Sequence, residues 1–248
     1  MGFQNINTAK KSLGQNFFIN NTLADKIVNY VKSNSDSENI IEIGPGKGFF
    51  TDKLINNFDK VYCIEKDDIL ATELKNKYRS IEIFNDDVLD FNWSIFSNEN
   101  FAVYGSLPYN ISKKIIQNLI ENSASKNLFF IIQKEVAEKY INKDKKSSIL
   151  SIMTELYCDV KIVLHISPSS FRPMPKVDSS FIHIKLNNNY LKIDDIKRFS
   201  SIVHQAFSSP RKKLKNNVKD IPQAYEQMRA EDLNLSNFID IYNKMKMI

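Results

Sequence analysis

The sequence predicts an α/β protein with a doubly wound, mostly parallel sheet, an antiparallel hairpin at one edge of that sheet, and a small all-α C-terminal domain. Short apolar strand patterns alternate with helical patterns from residue 21 to residue 140. Two late strand patterns, 160–166 and 179–186, have only a Pro-rich loop between them. Beyond residue 186 the apolar spacing is helical. These three observations indicate parallel strands, a hairpin and a separate helical domain, respectively.

Each predicted element follows from apolar periodicity and from the turn residues that bound it. The predicted strands are 39–43, 60–65, 80–84, 101–104, 128–132, 160–166 and 179–186. The predicted helices are 22–32, 49–56, 67–78, 111–122, 134–140, 148–156, 193–207, 214–218 and 235–245. Three asparagines at 187–189 interrupt the pattern, so we expect a first domain of residues 1–186 and a second of residues 187–248.

The composition is that of an ordinary globular protein, for which we expect a cytoplasmic location. The 248 residues are 42% hydrophobic and 25% charged, which suits one full core with a small appendage. No apolar run approaches the roughly 20 residues that span a bilayer. No apolar segment follows Lys10 and Lys11, so a secretory signal is not expected. Cys63 and Cys158 lie in apolar strand-like runs and are expected to be buried thiols.

Positive charge is concentrated at the two ends of the chain. The net charge is +5. Residues 186–248 hold eleven Lys and Arg against seven Asp and Glu, and residues 1–21 hold two lysines and no acid. Basic margins around a near-neutral body suit a polyanionic substrate such as a nucleic acid. Solubility is the alternative explanation of the same charges.

A glycine-rich turn joins the first predicted strand to the next helix. Gly44, Gly46 and Gly48 stand there in the spacing G-x-G-x-G. Such a turn lets the backbone approach a ligand and directs helix N-terminal amides at it. The dinucleotide fingerprint would need a third glycine at position 49, where the chain has Phe49. Alone, the turn is a weak signal.

Two acidic residues at later strand ends strengthen that signal. Glu65 closes the second strand, 21 residues after Gly44, where an acid in such folds binds a ribose diol. Asp87 follows the third strand and is placed to accept a hydrogen bond from an adenine amine. Because the ends of parallel strands meet at one edge of a sheet, these residues predict a nucleoside site.

The fourth strand ends in Ser106, Leu107, Pro108 and Tyr109. The serine offers an oxygen, the leucine peptide a carbonyl and the tyrosine a flat ring, while the proline keeps the backbone extended. Together these groups suit a planar base that carries an exocyclic amine.

The order of these parts resembles a class I S-adenosylmethionine-dependent methyltransferase, which has a Rossmann-like fold, and the fourth strand end resembles the motif of adenine-N6 methyltransferases. Over most of its length the chain resembles the ribosomal RNA adenine dimethyltransferase family, of the small-subunit type. The matching motifs are residues 13–18, 44–48, 106–109, 171–179 and 207–214. One departure is Ser106, where the family usually has Asn.

The resemblance implies transfer of methyl groups from S-adenosylmethionine to N6 of two adjacent adenosines near the 3′ end of 16S rRNA, during maturation of a 30S precursor particle. It also implies that Asn16 and Phe18 touch the cofactor, together with Gly44, Gly46, Glu65, Asp87 and Ser106. The Phe171 ring is implied to cover the second face of the target adenine. The first face would stack on Tyr109, and hydrogen bonds to Ser106 and the Leu107 carbonyl would orient the N6 lone pair for in-line attack on the methyl group. We expect a monomer and no membrane partner.

Basic residues near the C-terminal end are candidates for contact with rRNA phosphates. We expect this role for Arg211, Lys212, Lys213 and Lys215, and less strongly for Lys10 and Lys11. No metal is expected, because the three histidines have no metal-ligand spacing and no C-x-x-C motif is present.

Three other functions compete with this interpretation. The first is a large-subunit rRNA adenine methylase of the kind that confers macrolide resistance, which resembles the chain in the sheet and in the Pro-rich loop. The second is a non-catalytic ribosome assembly factor with the same fold, which Ser106 alone favours. The third is a nicotinamide-dependent dehydrogenase, disfavoured because position 49 is not glycine.

Overall fold

The computed structural model describes residues 16–141 and 146–246. These residues form two compact units. The first unit comprises the described residues up to Lys134 together with Ile162–His183, and the second comprises Glu135–Lys161 together with Ile184 onward. Lys10 and Lys11 lie outside the described residues.

Nine strands occur in the described residues, and seven of them form one mixed sheet. The strands are β1 (Phe17–Phe18), β2 (Asn39–Ile43), β3 (Lys60–Glu65), β4 (Glu82–Asn85), β5 (Ala102–Ser106), β6 (Asn127–Gln133), β7 (Cys158–Ile166), β8 (Phe171–Arg172) and β9 (Ser179–Leu186). The sheet order is β4-β3-β2-β5-β6-β9-β7, and the four pairs from β4 to β6 are parallel. The predicted α/β sheet is confirmed, with the two late strands at one edge.

The central strands are mostly apolar and buried because both faces of a parallel sheet are covered. Every residue of β6 from Asn127 to Ile132 is buried. The register places Ile43 beside Ile64 on one side and Gly105 on the other, and Ser106 beside Ile131. The carboxyl ends of the parallel strands therefore meet at one edge, where ligands bind in such sheets.

Within the described residues the helices are α1 (Asn21–Asn34), α2 (Thr51–Leu54), α3 (Asp68–Lys77), α4 (Ser112–Asn122), α5 (Lys134–Lys139), α6 (Ile149–Tyr157), α7 (Ile196–Ala206) and α8 (Leu235–Lys246). Among them, α1, α3, α6 and α7 each begin at a polar side chain that caps the helix. The Asn20 side chain accepts the Leu23 N–H at 3.1 Å, and Asp67 caps α3 by accepting the Ile69 N–H at 3.0 Å. Such caps each contribute about 1 kcal/mol. In the described part of the chain, no helix is both long and apolar enough to cross a membrane.

Three predicted helices are clearly shorter than expected. The helix predicted at 193–207 is α7, Ile196–Ala206, which begins after its capping residue Asp195. The helix predicted at 49–56 is α2, Thr51–Leu54, because the turn that starts in the glycine loop continues through Phe50. The helix predicted at 214–218 is only the 3₁₀ turn Leu214–Asn216. There the Leu214 N–H donates to the Met228 carbonyl at 2.8 Å, so this backbone group pairs with a distant residue and not within a helix.

Each unit has its own apolar core. In the first unit, buried aromatic rings pack against α1 and the sheet, for example Phe50 on Tyr104 with ring centroids 4.9 Å apart. In the second unit α6, α7 and α8 contribute Ile152, Phe199 and Phe238, each 0% exposed. The helical core therefore includes chain that precedes residue 187, while the assignment of 1–186 and 187–248 as functional domains stays a prediction.

Candidate functional site

The glycine loop leaves the carboxyl end of β2 in a conformation that glycine favours. Gly44, Gly46 and Gly48 all have positive φ, at 64°, 60° and 80°. The Gly44 N–H donates to the Ile64 carbonyl at 2.9 Å, and the Gly48 N–H to the Pro45 carbonyl at 2.9 Å. The loop is thus a defined turn bonded to the neighbouring strand, with backbone at the sheet edge that a ligand can approach.

The carboxylate of Glu65 ties the glycine loop to the next strand end. One oxygen accepts the Gly46 N–H at 3.1 Å and the other accepts the Asp67 N–H at 2.9 Å. Glu65 is 6% exposed, and its burial raises the pKa of the carboxyl although these two N–H bonds oppose the rise. Each oxygen keeps a further lone pair, so the group can still accept hydroxyl donors from a ligand.

Aromatic side chains pack against two of the three glycines. A Cβ on Gly46 would lie 3.1 Å from the Phe17 ring, and a Cβ on Gly48 would lie 2.4 Å from the Tyr78 hydroxyl. The Tyr78 hydroxyl also lies 3.0 Å from the Gly48 carbonyl and 2.6 Å from an Asp52 oxygen. Tyr78 and Phe17 were not predicted as site residues, because nothing in their sequence neighbourhood indicates which loop they reach.

Asp87 lies beyond β4 in an ion pair with Lys66. The Lys66 ammonium is 2.6 Å from one carboxylate oxygen, and the Leu89 N–H donates to the other at 3.0 Å. Partial burial acts to raise the pKa of Asp87, but the bonds from Lys66 and from the Leu89 N–H, with the charge of Lys66, together outweigh it and hold the pKa below its usual value. Asp87 is therefore an ionised acceptor one strand away from Glu65.

A second buried carboxyl group, Glu42, lies under the glycine loop in β2. It is 2% exposed and accepts the Thr51 hydroxyl at 2.5 Å. Burial raises the pKa of Glu42 to about 8. Its strand neighbours are Cys63 and Tyr104, and the Tyr104 hydroxyl has no hydrogen-bond partner among the described residues. Glu42 is thus held protonated at neutral pH inside the sheet.

The predicted strand-end motif lies at the end of β5. The Leu107 N–H donates to the Ile131 carbonyl at 3.0 Å, which extends the strand pairing by one residue. The Ser106 side chain is partly exposed at the sheet edge. Tyr109 is also partly exposed, and its hydroxyl lies 2.5 Å from the hydroxyl of Ser179 at the start of β9. The motif therefore offers a hydroxyl, a main-chain carbonyl and a tethered ring at the carboxyl end of the sheet.

Phe18 and Phe171 face each other in the two-stranded antiparallel sheet of β1 and β8. Their rings are 5.1 Å apart, edge to face, and they are 4% and 1% exposed. Phe18 also packs on Phe50. In this conformation both rings belong to the core, and a base would reach Phe171 only after the ring is uncovered. Asn16, two residues before Phe18, is partly buried.

The predicted RNA-binding residues of the second unit are exposed. We call Arg211, Lys212, Lys213 and Lys215 the basic cluster. Lys213 forms a β-bridge with Arg229, which brings one more exposed cation beside the cluster. Among the described residues, no group of three or more His, Cys, Asp or Glu side chains is placed to hold a metal ion.

Sequence comparison identifies the family of the chain. A profile of the family described as ribosomal RNA adenine dimethylase matches residues 6–247. The chain is 39% identical over 238 residues to a protein of Pelagibacter ubique named ribosomal RNA small subunit methyltransferase A, covering 92% of this chain and 90% of that one. It is 34% identical over 254 residues to a protein of the same name from Francisella tularensis, covering 95% and 97%.

Solved structures with the same fold span nearly the whole chain. The 23S rRNA methyltransferase ErmE superposes with a TM-score of 0.78 at 21% identity, covering 93% of this chain and 100% of that one. A dimethyladenosine transferase from Plasmodium falciparum also has a TM-score of 0.78, at 23% identity, with coverage of 93% and 98%. These likenesses confirm the predicted Rossmann-like methyltransferase fold, and the profile match sets the dehydrogenase alternative aside. The chain therefore belongs to the ribosomal RNA adenine dimethylase family.

Proposed function

We propose that the protein transfers methyl groups from S-adenosylmethionine to N6 of two adjacent adenosines near the 3′ end of small-subunit rRNA, within a 30S precursor particle. The observation that carries the proposal is the end of β5, where Ser106, Leu107 and Tyr109 place two oxygen acceptors and a ring at the ligand-binding edge of the sheet. The small-subunit target is supported by relatives of that name at 34% and 39% identity. We further propose that it acts as a monomer in the cytoplasm.

The cofactor would lie against the glycine loop. The fit is supported by Glu65, a buried carboxylate that faces the Gly46 and Asp67 amides and retains lone pairs for a ribose diol. Asp87, kept ionised by Lys66, would accept a hydrogen bond from the adenine amine. When bound, the cofactor supplies an electrophilic methyl group on a sulfonium sulfur. Asn16 and Phe18 are proposed to border this site, because Phe17 between them packs against Gly46 of the glycine loop.

The target adenine would enter from the opposite side after leaving its stack in the RNA. Its amine protons would be accepted by the Ser106 hydroxyl and the Leu107 carbonyl, which turns the nitrogen lone pair toward the methyl group. Tyr109 would stack on the base, an interaction worth about 1–3 kcal/mol. These groups position the base, and no strong general base is required of them. We propose that Phe171 covers the other face once it leaves its packing against Phe18.

The second unit is proposed to hold the rRNA. The basic cluster is exposed and lies on a part of the chain with an excess of positive charge. Lysine and arginine contacts to phosphates release counterions, so the affinity would fall steeply with salt. Lys10 and Lys11, which lie outside the described residues, are also proposed to contact rRNA phosphates.

The test is a methylation assay with three substrates. The protein is incubated with labelled S-adenosylmethionine and with undermethylated 30S particles, 50S particles or naked rRNA, and the labelled nucleotides are mapped. Dimethyladenosine in the small subunit supports the proposal. Label in the large subunit would instead assign the resistance-type methylase, and cofactor binding without transfer to any substrate would assign an assembly factor, which Ser106 in place of Asn favours.

The Tyr109→Ala variant tests the stacking role in the same assay. We expect it to abolish transfer while the affinity for S-adenosylhomocysteine stays unchanged, because Tyr109 lies outside the glycine loop and the Glu65 strand end. Tyr190→Ala, which removes an exposed tyrosine of the second unit, is the control and should keep full activity. Full activity of Tyr109→Ala would refute the stacking role.

A further inference from the structure

Two hydroxyl groups that are distant in sequence meet at the strand-end motif of residues 106–109. The Tyr109 and Ser179 hydroxyl oxygens are 2.5 Å apart and 70 residues separate them along the chain. Ser179 is 0% exposed, whereas Tyr109 is only partly buried. The contact therefore links a ring at the sheet edge to a residue fixed in the protein interior. In the family motif at residues 171–179, Phe171 has a role in the proposed transfer, whereas Ser179 has none so far.

The neighbouring backbone holds Ser179 in place. It is the first residue of β9, which lies beside β6 in the sheet. The preceding Asp178 carbonyl accepts the Lys134 N–H at 3.0 Å, at the point where β6 ends. On the other side of β6, the Leu107 N–H donates to the Ile131 carbonyl at 3.0 Å. The backbone close to each partner of the hydroxyl pair is thus bonded at or just beyond the end of β6.

We infer that Ser179 is a positioning residue for methyl transfer: its hydroxyl holds the end of the Tyr109 ring, so that the ring stands ready before the adenine arrives. The inference rests on the proposed stacking role of Tyr109. A tyrosine ring is attached to the backbone at one end only, and it can swing about its Cα–Cβ bond. A hydrogen bond at the opposite end of the ring removes that freedom, which lowers the cost of ordering the ring when the base binds.

The protonation state of the pair agrees with this role. Burial raises the pKa of the Tyr109 phenol, although the bond with Ser179 opposes the rise. Tyr109 therefore keeps its proton throughout the neutral range, and the pair always contains a hydrogen to share. A neutral phenol also leaves the ring without a charge beside the base.

The experiment removes either half of the hydroxyl pair and compares it with a matched serine. Ser179→Ala and Tyr109→Phe each delete one hydroxyl and leave the Tyr109 ring in place. Ser180→Ala is the control, since Ser180 is also 0% exposed and lies next in β9 but points to the opposite face, where its hydroxyl is 2.9 Å from a His165 ring nitrogen. Undermethylated 30S particles are the substrate, and kcat, the affinity for S-adenosylhomocysteine and the melting temperature are measured.

We expect Ser179→Ala and Tyr109→Phe each to lower kcat about tenfold, which corresponds to about 1.4 kcal/mol in the barrier. The double variant should be no slower than either single variant, because both remove the same bond. S-adenosylhomocysteine affinity should not change, and Ser180→Ala should keep the wild-type kcat.

Wild-type kcat in Ser179→Ala, alongside an inactive Tyr109→Ala, would refute the inference and leave the stacking proposal intact. Full activity of Tyr109→Ala would refute the stacking proposal itself. A loss of kcat in Ser180→Ala equal to that in Ser179→Ala would show that the serines act only through stability, and this would also overturn the inference. If Ser179→Ala does not fold, the kcat of Tyr109→Phe tests the inference by itself, since this variant leaves β9 unchanged. A wild-type kcat in Tyr109→Phe would then refute the inference.

Discussion

Substituting Gly48 by alanine should destabilise the first unit much more than the same substitution at Gly44. Both residues have positive φ, 80° and 64°, and alanine in such a conformation costs about 1–2 kcal/mol. Of the two, only Gly48 has a close neighbour: its added Cβ would lie 2.4 Å from the Tyr78 hydroxyl and 2.9 Å from a ring carbon. At Gly44, no described residue other than its chain neighbours lies within 4 Å of the added Cβ.

Relief of that overlap requires the Tyr78 ring or the loop to shift, and overpacking of this kind costs about 1–3 kcal/mol. The expected destabilisation is therefore about 2–5 kcal/mol for Gly48→Ala and about 1–2 kcal/mol for Gly44→Ala. The difference between the free energies of unfolding of the two variants isolates the cost of the steric overlap, because the cost of alanine at positive φ is nearly the same in both.

The assay is urea unfolding followed by tryptophan fluorescence. The chain has one tryptophan, Trp93, which is 7% exposed and stacks on Phe101 in the first unit. Its signal therefore reports the unit that contains the glycine loop. Equal stability of the two alanine variants would refute the reasoning. As a second check, Gly48→Ala should cost less stability in a Tyr78→Phe background than in the wild type, because Tyr78→Phe removes the atom that comes closest to the added Cβ.

Three further predictions concern the buried carboxyl groups and the basic cluster. Burial raises the pKa of Glu42 from 4.5 to about 8, so stability should fall as the pH rises through this interval, by at most about 1.4 kcal/mol per pH unit. Glu42→Gln should remove that pH dependence of urea unfolding, and an unchanged slope would contradict the assignment. Glu65→Gln would place an amide N–H against a backbone N–H, where the carboxylate now accepts a hydrogen bond. We therefore expect S-adenosylhomocysteine binding, measured by calorimetry, to weaken at least about tenfold. The control Glu82→Gln, at an exposed position, should leave that binding unchanged. Neutralising the basic cluster should flatten the dependence of log Kd for rRNA on log salt by up to about 0.9 per lost phosphate contact, and an unchanged slope would exclude the cluster from the RNA contact.

Many residues of the candidate site can be predicted from the sequence alone, because the end of a strand is marked by residues that are neighbours in the chain. Gly44, Gly46 and Glu65 stand at the turn and at the strand end that were predicted for them, and Ser106 ends β5. In a parallel sheet these ends meet at one edge whatever the packing details are. The helix bounds were less accurate, since the turn after Gly48 runs on through Phe50 and shortens α2.

The partners of those residues could not be predicted in this way, because they come from distant parts of the chain. Phe17 against Gly46, Tyr78 against Gly48 and Lys66 beside Asp87 depend on how the strands and loops pack. The surroundings of Phe171 could not be predicted either, although its motif is visible in the sequence. Its burial at 1% exposure and its contact with Phe18 follow from the pairing of β8 with β1.

Residues that are close in the chain suffice to predict the alternation of strands and helices, the glycine turn, the acidic strand ends and the strand-end motif of residues 106–109. Which side chains hold those features in place depends on how distant parts of the chain pack. Ser179 illustrates the difference, because only the order of strands β5, β6 and β9 in the sheet brings its hydroxyl 2.5 Å from that of Tyr109.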